Sequence, residues 1–146
     1  NLLLQSPPNL LSINLAPTFN SSALAAFLLI FLVASVSKGI STFSNLSELN
    51  KKESKRLEWG IKILKKIGIK VKKINNDGIK IWGNPAININ KTIIIKDFLK
   101  DHRIFMASSI AALTLGGNWK IHNPESFKTS FPKFLTILRK LGAKVN

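Results

Sequence analysis

Leu64-Lys65-Lys66-Ile67-Gly68-Ile69-Lys70-Val71 is answered later in the chain by Leu138-Arg139-Lys140-Leu141-Gly142-Ala143-Lys144-Val145. Each copy closes an apolar periodic stretch at a glycine, the residue that ends helices because it tolerates a left-handed backbone. Upstream of the first copy, Leu57, Ile61, Leu64 and Ile67 recur at spacings of three and four, predicting a helix over 51–66. Downstream, 71–74 and 79–82 read as strands around Asn75-Asn76-Asp77-Gly78, a hairpin turn. Outward again, strands are predicted at 40–43, 92–95 and 119–121. Further helices are predicted at 23–36, at 101–115 before Gly116-Gly117, and at 132–141, opened by Pro132. The order helix, strand, helix, strand occurs twice, so the chain reads as an α/β fold made of two copies of one unit sharing a core. The helices beginning near Lys51 and Asp101 are expected to occupy equivalent positions in those copies.

A chain of 146 residues with 45% apolar content suffices for one compact core. No cysteine is present, which excludes disulfides and thiolate metal sites and fits a reducing compartment such as the cytoplasm. Two histidines and no acidic cluster argue against a zinc centre. The net charge of +15 attracts anions in general. Scattered lysines such as Lys65, Lys66, Lys72 and Lys73 also fit a compositional bias toward Ile, Asn and Lys, so charge selects no partner by itself. No charge precedes Lys38, and 23–36 is unbroken apolar sequence, shorter than the ~20 residues that span a bilayer. A helix buried on several sides of a globular core is expected there, and no membrane partner.

Two clusters of charge sit where helices do not favour them. Lys52, Glu53 and Arg56 fall in the first turns predicted for the second helix, and His102 and Arg103 open the third. A helix N-terminus is partially positive, so cations there make sense when an anion is shared with the free backbone N–H groups. Lys52 and Arg56, four apart, would lie on one helical face. Position alone favours solvated surface charges.

The motifs around these residues add a resemblance. Lys52-Glu53-Ser54-Lys55-Arg56-Leu57 resembles the lysine–glutamate–serine/threonine–aspartate–arginine signature of EPSP synthases (3-phosphoshikimate 1-carboxyvinyltransferases). Asp101-His102-Arg103 is similar to their aspartate–histidine–arginine block, and Asn123-Pro124-Glu125-Ser126 with Ser130-Phe131-Pro132 to their closing block. The resemblance implies repeated βαβαββ units forming part of the second of two domains, with 1–82 the penultimate unit, 83–146 the final one, and the N-terminal domain missing. It implies transfer of the enolpyruvyl group of phosphoenolpyruvate to shikimate 3-phosphate, with no metal or organic cofactor. Glu53 then matches the catalytic acid/base, Lys52 a contact to shikimate 3-phosphate, and Arg56 and Arg103 the arginines that hold phosphoenolpyruvate. His102 reads as a further substrate contact or, equally, as a structural hydrogen-bonding histidine, and Asp101 reads as a helix cap. A competing reading is a non-catalytic basic module for phosphorylated ligands or nucleic acid. It needs aromatics interleaved with basic residues, whereas Trp59, Trp82 and Trp119 are scattered through apolar surroundings, so no nucleic acid is expected.

Three positions depart from the family pattern. Ala25 stands where an upstream aspartate is implied, Thr129 where a phosphoenolpyruvate-binding lysine is implied, and Lys55 where the signature has aspartate.

Overall fold

The computed structural model describes residues 11–15, 21–51 and 54–145, with backbone alone at 15 and 21–25. The chain runs β1 (Asn14–Leu15), α1 (Ser21–Val36), β2 (Gly39–Phe43), α2 (Ser47–Asn50), α3 (Arg56–Lys66), β3 (Lys70–Ile74) and β4 (Gly78–Gly83). It continues with β5 (Thr92–Ile95), α4 (His102–Leu115), β6 (Asn118–Ile121), a short 3-10 turn (Pro124–Phe127) and α5 (Phe134–Lys140). Strands β1, β2, β4 and β3 form one sheet in that order, β1 parallel to β2 and the other pairs antiparallel. Strands β5 and β6 form a second, parallel pair, Thr92 opposite Asn118 and Ile95 opposite Ile121. The strands bury alternate residues, Ile79 and Ile81 in β4 and Ile93 and Ile95 in β5, as a half-covered sheet requires. The predicted α/β class and hairpin are both present, the latter as a tight Asn75-Asn76-Asp77 connection with Ile74 opposite Gly78.

The repeated eight-residue stretch has one structural meaning in both copies. Ile69 N–H donates to the Leu64 carbonyl at 2.9 Å, and Gly68 carries φ +89°. Ala143 N–H donates to the Leu138 carbonyl at 3.0 Å, and Gly142 carries φ +95°. Both are Schellman caps, in which an N–H reaches back to the carbonyl five residues earlier while a left-handed glycine turns the chain.

The structure corrects the sequence reading at three places. The helix predicted from 51 begins only at Arg56, because Lys55 adopts a left-handed backbone (φ 46°, ψ 64°) and α2 forms a separate turn before it. The face expected to carry Lys52 and Arg56 together involves position 52, which lies outside the described residues. The last helix begins at Phe134, after Pro132: Phe134 N–H closes a tighter turn on the Phe131 carbonyl at 2.9 Å, and Ile137 N–H reaches back to the Lys133 carbonyl at 2.9 Å. Third, α4 is not the counterpart of α3. The parallel pair β1/β2 flanks α1 in sequence as β5/β6 flanks α4, while α3 and α5 share the repeated cap. Helix α4 ends differently, at Gly116 with φ +70°.

Helix α1 packs through Phe27 and Phe31, which meet Phe43 of β2 edge-on at centroid distances of 6.4 and 5.3 Å. Helix α3 approaches it at Gly60, where a Cβ would lie 2.7 Å from the Phe31 ring, so glycine there is a condition of contact. The opposite face of α1 is open rather than buried on several sides, with Leu29 and Val33 each 43% exposed. Among the described residues no helix is long and apolar enough to cross a membrane.

Candidate anion site

Asp101 organises the ends of two helices. As N-cap of α4 it has extended backbone (φ −64°, ψ 111°), and its Oδ1 accepts the Arg103 backbone N–H at 2.9 Å. Its Oδ2 accepts Arg56 Nε–H at 2.8 Å and the Ser54 hydroxyl. Arg56 is the first residue of α3, so one carboxylate joins the starts of α3 and α4. Ser54, Arg56 and Asp101 are all buried.

The approach to Asp101 is built by an irregular loop. Asp97, Leu99 and Lys100 all have positive φ, and Asp101 N–H donates to the Phe98 carbonyl at 3.0 Å. Phe98, fully buried, meets the Trp59 ring of α3 edge-on at 6.0 Å. This aromatic contact anchors the loop on α3 and delivers Asp101 to Arg56. A cleft of about 330 Å³ opens beside it, lined by Ser54, Lys55, Glu58, Trp59, Lys62 and Asp97 among others.

Burial alone would raise the Asp101 carboxyl, but it is outweighed. Donation from Ser54 and Arg56, the Arg56 charge and the Arg103 N–H together hold its pKa below the ordinary 3.8. The carboxylate is thus ionised at neutral pH and offsets the Arg56 charge within about 3 Å. Arg103 makes no ion pair among the described residues, so its positive charge is not balanced in the same way.

The predicted residues fare unequally. Arg56 by its side chain and Arg103 by its backbone N–H both bond Asp101, and the expected Asp101 cap is present. Arg56 is buried, however, rather than set on an open face, and the anion at its helix end is supplied by the chain itself. His102, the first residue of α4, is half-buried. Lys52 and Glu53 lie outside the described residues. Ala25 falls within α1, while Lys128 and Thr129 are exposed after the 3-10 turn, whose Phe127 stacks on Phe105 of α4 at 5.4 Å. Sequence reasoning missed Ser54 as a partner of Asp101, although it stands inside the quoted signature, and it missed the Phe98–Trp59 anchor, which no local pattern announces. Among the described residues no group of three or more His, Asp or Glu is placed to hold a metal.

The described elements define a strand–helix α/β protein whose two helix starts meet at a buried arginine–aspartate pair. The sequence profile described as EPSP synthase (3-phosphoshikimate 1-carboxyvinyltransferase) matches residues 12–138, and the chain belongs to that family. It is 32% identical over 139 residues to the 3-phosphoshikimate 1-carboxyvinyltransferase of Zymomonas mobilis, covering 93% of this chain and 30% of the relative. The Campylobacter curvus protein of the same name is 39% identical over 108 residues, 74% of this chain and 24% of its own length. Among solved structures, the EPSP synthase of Acinetobacter baumannii superposes with a TM-score of 0.69 at 31% identity, over 81% of this chain and 27% of that one. The chain therefore spans less than a third of the length of these relatives.

Proposed function

We propose that this chain supplies part of an EPSP synthase active site, the part that grips phosphoenolpyruvate and touches shikimate 3-phosphate, and that the full transfer needs the region the longer relatives carry. The observation that supports this best is the meeting of the α3 and α4 starts at Asp101, which accepts the Arg56 side chain and the Arg103 backbone N–H from segments far apart in sequence. Arginine suits a carboxylate- and phosphate-bearing ligand because its planar fork donates paired hydrogen bonds. In this reading Arg56 and Arg103 hold phosphoenolpyruvate, Lys52 and His102 contact substrate, and Glu53 moves protons during addition and elimination. The stretches 1–82 and 83–146 are the last two repeat units, the second running β5, α4, β6 and α5 among its described elements, and the partner is the N-terminal region that the longer relatives carry. The soluble compartment is the cytoplasm.

The test is phosphate release from phosphoenolpyruvate and shikimate 3-phosphate. The chain alone is expected to give none, and the chain supplied with the N-terminal portion of a relative to give turnover that Glu53→Gln abolishes. Robust turnover by the lone chain contradicts the shared-site reading. Undiminished turnover by the supplemented Glu53→Gln variant removes Glu53 from the chemistry.

A further inference from the structure

We infer that Ser54 and Asp101 are positioning residues for the anion site: together they fix the Arg56 guanidinium by its Nε and leave its Nη edge for the ligand. The inference rests on the proposed function above for the identity of that ligand. It follows from how the three donors divide the carboxylate. Asp101 Oδ1 is committed to the Arg103 backbone N–H, and Oδ2 receives both the Ser54 hydroxyl and Arg56 Nε–H. A carboxylate free to turn would grip an arginine with both oxygens and occupy two of its N–H groups. Here Ser54 and the Arg103 N–H hold the carboxylate against that rotation, so the contact to Arg56 is single. Among the described residues, neither Nη of Arg56 makes a hydrogen bond.

The same arrangement divides labour between the arginines. The charge of Arg56 is offset at 2.8 Å, so Arg56 contributes direction, whereas Arg103 contributes charge unopposed by any ion pair among the described residues. Ser54 is buried and its hydroxyl makes no other hydrogen bond among the described residues, so its effect on a ligand passes through Asp101 and Arg56 rather than by touch.

The experiment compares the wild type, Ser54→Ala and Ser54→Thr by titration with phosphoenolpyruvate, at a temperature where unfolding curves show each fully folded. Arginine side-chain ¹⁵N–¹H spectra are recorded in parallel. Ser54→Ala is expected to weaken binding about tenfold, the effect of one charge-assisted hydrogen bond, and Ser54→Thr, which keeps the hydroxyl, to bind as the wild type does. In the wild type the ligand should shift the Arg56 Nη resonances and leave Nε–H in place. In Ser54→Ala the Nη resonances should already be shifted without ligand. Equal binding by wild type and Ser54→Ala overturns the inference, as does equal weakening in Ser54→Thr. Absence of binding by the wild type is a different result, which overturns the proposed function and the inference with it.

Discussion

Arg56 Nε and Asp101 Oδ2 lie 2.8 Å apart, both side chains buried, and tie the start of α3 to the start of α4. Breaking such a pair from one side leaves an uncompensated buried charge, which typically costs about 3–5 kcal/mol. Asp101→Ala is expected to fall in that range by urea unfolding. Asp101→Asn should cost about 1 kcal/mol less, because its amide oxygen still caps the Arg103 N–H. A loss below about 1 kcal/mol in Asp101→Ala would show the pair to be incidental.

The same carboxylate predicts a pH dependence. Its pKa in the folded chain lies below the ordinary 3.8, so the folded state binds the proton less readily than the unfolded one. Its contribution is therefore fully present above about pH 4 to 5 and is lost as pH falls through the folded pKa. The stability difference between wild type and Asp101→Asn should be constant from neutral pH down to about 5 and shrink below 4. A difference that instead grows on acidification contradicts the stated direction.

Helix α3 depends on Gly60 for its approach to α1. Gly60→Ala places a Cβ 2.7 Å from Phe31 Cδ2. The clash should cost about 1–3 kcal/mol, partly offset by alanine's better helix propensity of about 1 kcal/mol. Thermal unfolding should show a net loss in Gly60→Ala, recovered in part when Phe31→Leu is added. Unchanged stability in the single variant would mean that α1 and α3 have room to separate.

The open face of α1 should make the chain self-associate. Leu29 and Val33 are exposed on a helix without a charged residue, and Ile40 at the start of β2 is 45% exposed. Apolar surface of this kind promotes association in water. Sedimentation should show mass above the monomer's 16.2 kDa, reduced by the pair Leu29→Lys and Val33→Lys. A wild type that stays monomeric at high concentration removes this face as a contact surface.

The elements were legible in the sequence wherever local chemistry determines them. Gly68 and Gly142 end helices because only a left-handed backbone completes the cap, and Asn75-Asn76-Asp77-Gly78 turns because Asn75 accepts φ 51°. The start of α3 was not legible. The apolar periodicity begins only at Leu57 and leaves the boundary before it open, and that boundary is set by Ser54 and Arg56, which bond to a carboxylate more than forty residues away. For the same reason the motif arginines were identifiable by resemblance, while the burial of Arg56 and its neutralisation by Asp101 were not. The pairing of α1 with α4 was hidden because their sequences share no motif like the one that marks α3 and α5.

In the proposed function Arg56 and Arg103 form one anion site for phosphoenolpyruvate, with Arg103 carrying the charge that Asp101 leaves unbalanced. The decisive experiment is titration of the wild type, Arg103→Ala and Arg56→Ala with phosphoenolpyruvate at low and high salt. Charge-assisted contacts of about 1.5–3 kcal/mol each, without the rest of the enzyme, lead to millimolar binding by the wild type. Arg103→Ala should abolish most of that binding and its salt dependence, while Arg56→Ala should weaken binding yet keep the salt dependence. Equal binding by wild type and Arg103→Ala would mean that Arg103 takes no part in holding phosphoenolpyruvate.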